Sequence, residues 1–344
     1  MLRAVRVHIT NVGDLEALGR AWRALEAEVP AHGFFQSWSW VGCLAEERYP
    51  APVLLRAEEA GRTVGLALFN LRRGRLSLAE NGDAGLDAPF IEHNAPLAPP
   101  AVAAALLRAA WDVGGMQRLR LSGVHPHTLA AAGGVALRVQ ERVAPFVDLA
   151  ALRGAGTAHL GQCSANTRQQ IRRSDRGYAA MGGLRLECAA AAEQALAHFD
   201  AMLPLHARTW EARGKPGAFA TPFLQRFHRR LIATAAPRGE VQMLRIAAGV
   251  TDIGYLYNFR HAGRVYAYQS GLDHAGAGRH GKPGLTSHAL AIERAVAAGD
   301  AVYDFLGGGD RYKLSLSTGA TPLLWAELAR PWSLAGLAMR LWRR

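Results

Sequence analysis

Apolar residues recur along this chain at two spacings. A repeat of three to four places Leu15, Leu18, Trp22 and Leu25 on one face between Gly13 and Val29 and predicts a helix there. Phe34 to Trp40 opens a second helix that Ser37 or Ser39 can cap, and Ala101 to Gly114 predicts a third. Alternation or short continuous apolar runs mark strands at Met1 to Thr10, Val53 to Glu58, Thr63 to Leu71, Arg75 to Ala79, Arg118 to Ser122 and Ala144 to Leu149. Ala60-Gly61-Arg62 reads as the turn of a hairpin.

The second half repeats this grammar. Helical spacing covers Ser164 to Met181, Glu193 to Glu211 and Thr221 to Ala235, the last with Thr221-Pro222 as cap and first-turn pair. Leu184 to Cys188 predicts a strand. Val241 to Ala247, Gly254 to His261 and Arg264 to Leu272 predict three more, joined by tight turns. A helix to Gly299 follows, then a strand at Ala301 to Leu306, and Leu323 to Ala329 is expected to close this sheet. The fold class is therefore α+β and duplicated, with two mixed central sheets flanked by helices. The expected divisions are residues 1–155, 156–330 and an amphipathic tail at 331–344.

Only the second half places a glycine-rich loop between a strand and a helix. Val265 to Asp273 is the strand, His274 to Gly284 the loop, and the helix opens directly after it. Four backbone donors at a helix start lack an intrahelical partner, and the helix dipole favours an anion there. Gly278, Arg279, His280, Gly281, Lys282, Gly284, Leu285 and Thr286 are the expected cradle for the pyrophosphate of a phosphorylated carrier, with acetyl-CoA or another acyl-CoA the leading candidate. The alternative is a solvated surface loop. The matching stretch of the first half, Ala79 to Asp87, is acidic and unsuited to phosphate, so that half is assigned the acceptor side.

Composition trims the list of functions. The net charge of +12 rests almost wholly on arginine, since Lys215, Lys282 and Lys313 are the only lysines, and with abundant alanine it reads as a compositional bias rather than as DNA binding. Cys43, Cys163 and Cys188 are too few and scattered for a disulfide framework or a metal site, which suits a reducing cytoplasm. No run approaches the ~18 apolar residues of a spanning helix. Pro331 to Arg344 carries Trp332, Leu334, Leu337, Leu341 and Trp342 with arginines, and suits either docking on the protein body or contact at the inner membrane surface.

The ordered motifs resemble the GNAT acyltransferase superfamily, in particular its CelD/BcsL-like group, related to the Fem peptidyltransferases. Trp210-Glu-Ala-Arg213-Gly214, Tyr268-Gln-Ser-Gly-Leu-Asp273, Pro283-Gly284, Tyr303-Asp-Phe-Leu-Gly307 and Arg311-Tyr-Lys313 carry the resemblance, which covers roughly 160–330 and extends weakly to Phe35-Gln-Ser-Trp38. The loop between Asp273 and Pro283 departs from it, being longer and richer in glycine.

The resemblance implies a duplicated GNAT-like fold and transfer of an acyl group from acyl-CoA to an amine or hydroxyl on a sugar, polysaccharide or cell-envelope precursor. It implies a carbonyl-polarising backbone N–H at Gln269, Ser270 or Gly271, and Tyr312 as general acid, with aromatic packing as the alternative. Asp304 and Asp273 are the base candidates, Asp304 alternatively fixing Lys313 or Arg311; Trp210, Arg213, Tyr268 and Lys313 are expected to line the substrate. Two rivals stand beside this reading. One is a Fem-like transferase using aminoacyl-tRNA, supported by the basic helix at Arg168, Arg172, Arg173 and Arg176; the other is a non-catalytic accessory protein of polysaccharide biosynthesis.

Overall fold

The computed structural model describes residues 5–278 and 281–342. Along the chain it forms β1 (Arg6–Asn11), α1 (Leu15–Glu28), α2 (Trp38–Val41), α3 (Ala45–Arg48), β2 (Pro52–Glu59), β3 (Arg62–Arg72), β4 (Arg75–Leu78), α4 (Pro100–Ala109), β5 (Arg118–Val124), α5 (Pro126–Ala132) and β6 (Val135–Asp148). It continues with α6 (Leu149–Gly154), α7 (His159–Gln162), α8 (Ala165–Ala179), β7 (Leu184–Cys188), α9 (Ala192–Glu211), α10 (Pro222–Ala235), β8 (Val241–Ala248), β9 (Thr251–His261) and β10 (Arg264–Leu272). The last elements are α11 (Pro283–Ala297), β11 (Val302–Asp304), α12 (Arg311–Leu316), β12 (Gly319–Ala329) and α13 (Leu334–Trp342).

Local chemistry sets many of these ends. Asp14 caps α1 by accepting from the N–H groups of Glu16 and Ala17, and Ser37 rather than Ser39 caps α2. Thr221 accepts from Leu224 N–H at the start of α10, with Pro222 in the first turn. β6 is longer than the apolar run at Ala144 suggests, because positions 138–143 are exposed and carry no buried face.

Two compact units result. One holds the chain up to Arg142 together with the stretch from Pro322; the other is Val143–Thr321. Within the first, the strand order is β1-β2-β3-β4-β5-β12, antiparallel except for the parallel pair β4–β5. Within the second it is β6-β11-β10-β9-β8-β7, again antiparallel except for the parallel pair β10–β11. The two topologies match strand for strand, with the sixth positions exchanged along the chain. Leu323–Ala329, expected to close the second sheet, instead pairs with β5 through Leu324↔Val124 and Leu328↔Leu119, while β6 takes the place beside β11. Apolar patterning identifies a strand but not its partner.

In both units the parallel pair parts after three residues. β4 and β5 pair over Arg75–Ser77 and Arg118–Arg120, and the space beyond is filled by the unit's own chain. Asn94 donates its backbone N–H to Gly123 O on β5 at 3.0 Å and its side-chain amide to Leu78 O on β4 at 3.1 Å. β10 and β11 pair over Arg264–Tyr266 and Val302–Asp304, after which β10 runs on to Leu272. Among the described residues no strand or bridge takes that edge. The second unit thus keeps open the gap that the first unit fills. Its core lies beneath α11, where Ile171, Leu244, Leu256, Val265, Ile292 and Phe305 are buried together.

Candidate functional site

Backbone alternation decides which groups face the open edge of β10. Asp273 donates its N–H to Ile253 O on β9, so Gln269 and Gly271 direct theirs to β9 as well, while Ser270 and Leu272 turn to the gap. Of the three candidates for the polarising N–H, Ser270 is the one whose N–H faces the gap. Its carbonyl is already used, accepting from His206 Nδ1 at 2.9 Å, and the Leu272 carbonyl accepts from His274 N–H.

His206, which the motifs did not single out, is buried on α9. Its Nε2 accepts from Ala218 N–H at 3.1 Å, so Nδ1 carries the proton that Ser270 O receives. Burial lowers its pKa and Arg213 adds to this, against the Ser270 bond, so the neutral tautomer is fixed. The helix can approach β10 closely because Gly271 has no side chain: a Cβ there would lie 2.5 Å from Met202 O. A histidine one turn before Trp210, at helical spacing, was the available signal.

Arg213 lies over the Trp210 ring at 5.5 Å and Lys215 over the same ring at 6.0 Å. The Arg213 charge helps lower the pKa of His206 and His274 and opposes the rise that burial gives Tyr312. Parts of the Trp210, Asp273 and Tyr312 motifs, distant in sequence, thus lie within reach of the one Arg213 charge. Beside His206 is a cavity of about 270 Å³, walled by Leu203, Pro204 and Ala207 of α9, Pro216 and Phe219 of the next loop, and Gln225 of α10.

At the start of α11 the cradle is narrower than the glycine count suggests. Arg279 and His280 lie outside the described residues. Gly278 has φ +61°, and a Cβ on Gly281 would lie 1.8 Å from Ala277 O, so the loop folds tightly on itself. Lys282 exposes its side chain but gives its N–H to Ser174 Oγ of α8 at 2.9 Å. Thr286, expected to offer a hydroxyl, is fully buried and donates it to Asp175 at 2.7 Å, with Ser174 Oγ 2.8 Å away. Pro283 has no N–H, which leaves Gly284 and Leu285 as helix-end donors without an intrahelical partner. Two N–H groups and the Lys282 ammonium fit a phosphate group; burial raises the pKa of the adjoining Asp175 carboxyl.

Tyr312 is stacked on His288 with ring centroids 5.4 Å apart and meets the edge of Phe305. His288 in turn bonds the Tyr303 hydroxyl through Nδ1 at 2.9 Å. Burial, helped by Lys313, pushes the His288 pKa down to about 3, so the ring stays neutral. Burial also raises the Tyr312 phenol, Asp310 adding to the effect and Arg213 opposing it. Tyr312 accordingly combines aromatic packing with a firmly held proton.

Four expected site residues are each engaged by the scaffold. Asp304, 1% exposed, accepts from Arg264 at 2.8 Å and from Leu306 N–H at 2.8 Å. A carboxylate so engaged is not poised as a base. Lys313 donates to the carbonyls of Leu306 and Gly307. Tyr268 occupies the register slip in β10 and packs against Phe259, Tyr257 and His228 rather than the gap. Asp273 accepts from Gly276 N–H and shapes the loop.

Comparison with known proteins bears on the fold. Residues 165–314 match the family model described as an acetyltransferase (GNAT) domain. Among solved structures, FemX shares the fold with a TM-score of 0.61 at 11% identity, covering 98% of this chain and 100% of FemX. The C-terminal domain (DUF2156) of an Agrobacterium fabrum protein described as a lysylphosphatidylglycerol synthetase gives 0.57 at 12%, covering 95% of each chain. A Bacteroides thetaiotaomicron protein of unknown function gives 0.54 at 12%, covering 94% of this chain and all of that one. No curated protein matches the sequence. The chain has an α+β, GNAT-like fold, and its segment from 165 to 314 is similar to the acetyltransferase (GNAT) domain.

Proposed function

We propose that this protein is an acyltransferase that moves an acyl group from a coenzyme A thioester to an amine or hydroxyl. The observation that carries the reading is the open edge of β10, where Ser270 N–H faces the gap and the start of α11 lies past the same strand's end. Ser270 N–H would donate to the acyl oxygen as negative charge develops there, and its fixed orientation demands no reorganisation. The acceptor nitrogen or oxygen bonds to the acyl carbon, the carbon–sulfur bond breaks, and Tyr312 gives its proton to the departing thiolate. The acceptor's proton passes to solvent. Gly284 and Leu285 N–H with Lys282 would hold a phosphate of the donor.

The acceptor would lie toward Trp210 and Arg213, its apolar part entering the cavity beside His206. Resemblance to the CelD/BcsL-like group favours a sugar, polysaccharide or cell-envelope precursor. Titration calorimetry with acetyl-CoA and longer acyl-CoAs tests the donor; absence of binding to every one of them overturns it.

A second reading uses aminoacyl-tRNA. It is favoured by the start of α11, partly satisfied by Ser174 and Asp175, and by exposed Arg172, Arg173 and Arg176 on α8. It expects salt-dependent tRNA binding that weakens when these arginines are replaced by alanine; unchanged binding removes it.

A further inference from the structure

We propose that α13 and the turn before it form a contact surface for an anionic lipid bilayer. Trp332 is 79% exposed, Leu334 89% and Leu337 39%, and Ala338 is exposed as well. Leu334, Leu337 and Ala338 stand at i, i+3 and i+4, so the helix presents one apolar stripe to solvent instead of to a core. Its start is set by local bonds. Ser333 Oγ accepts from Gly336 N–H at 3.1 Å and donates to Arg330 O at 2.9 Å, and Leu337 N–H bonds Ser333 O at 2.8 Å. The helix therefore holds its entry geometry while its stripe stays open.

The sequence from Arg330 on identifies the occupant. It carries Arg330, Arg340, Arg343 and Arg344 and no acidic residue. A second copy of this segment would bring like charges together, whereas an anionic surface takes both the arginines and the apolar stripe. Tryptophan beside such a stripe suits the boundary between headgroups and acyl chains. Among the described residues no helix is long and apolar enough to cross a membrane, so the contact is peripheral.

The test is co-sedimentation of the full chain with vesicles of phosphatidylglycerol and phosphatidylethanolamine, beside vesicles of phosphatidylcholine alone. Partitioning onto the anionic vesicles should be about tenfold stronger and fall steeply at high salt. The combined Trp332→Ser, Leu334→Ser and Leu337→Ser variant should lose roughly tenfold of it, its folding being checked by its melting curve. Equal partitioning to both vesicles overturns the proposal, as does undiminished binding by the variant. Sedimentation velocity showing a dimer that the same substitutions abolish would assign the stripe to a second copy instead.

Discussion

The hydroxyl of Thr286 donates to the carboxylate of Asp175, 2.7 Å away, and so places an acid next to the start of α11. That helix end would hold the phosphate under the proposed function, yet its own scaffold already supplies it with negative charge and, through Ser174, with an acceptor for Lys282 N–H. Any phosphorylated donor must be held by the remaining donors against the field of Asp175.

Replacing Asp175 by Asn keeps the shape and a partner for Thr286 while removing the charge. Acetyl-CoA binding should tighten about two- to fivefold at low ionic strength, with the gain shrinking as salt is added. Calorimetry at two salt concentrations reads this directly. Weaker binding would mean that Asp175 acts by positioning α11 rather than by opposing an anion.

Gly271→Ala tests the close approach of α9 to β10. The new methyl would meet Met202 O at 2.5 Å, Met202 Cγ at 2.7 Å and Leu205 Cβ at 3.1 Å. Because one of these atoms is backbone, the helix must move, and His206 would move away from Ser270 O with it. A stability loss of about 1–3 kcal/mol is expected by denaturant unfolding. Full stability would show that α9 accommodates the methyl without strain.

The strands and helices around the site were legible because each buries one face, and that periodicity survives in a single sequence. Thr221 as the cap of α10 and the inward set Leu18, Trp22 and Leu25 on α1 follow from such local rules. What was not legible depends on partners distant along the chain. Nothing in Leu323 to Ala329 says that β5 is its neighbour, and nothing in Asp304 says that Arg264 reaches it. Thr286 reads as an open hydroxyl until Asp175, 111 positions away, takes it. The same limit hid His206, whose importance lies in its bond to Ser270 O, 64 positions on.

Glu80 follows β4 in the first unit, is 4% exposed, and lies 3.5 Å from Arg120. Burial foremost, with Asp87 adding and Arg120 opposing, pushes its carboxyl up to about 7 from 4.5. Between these values the folded chain keeps a proton that the unfolded chain has released. Glu80 therefore favours folding most below about pH 4.5, less as pH rises, and opposes it fully above about 7. Glu80→Gln should melt several degrees higher than the parent at pH 8, roughly 2–6 °C, and match it near pH 4.5. A difference that is flat with pH would refute this origin.

Tyr312→Phe separates the two things this side chain does. The phenyl ring retains the stack on His288 and the edge contact with Phe305, so folding and donor binding should be unchanged. Only the proton is lost. Since burial and Asp310 raise the phenol's pKa, the parent keeps that proton well into the alkaline range, and its rate should show no alkaline decline from loss of the acid through pH 9. With acetyl-CoA as donor, kcat of the variant should fall about 10- to 100-fold, the usual contribution of a positioned acid. An aryl thioester, whose thiolate departs without needing a proton, should bring the rates of variant and parent close together. A kcat that is unchanged with acetyl-CoA, or a deficit of equal size with both donors, would return Tyr312 to a packing role beside His288 and leave the departing thiolate to solvent.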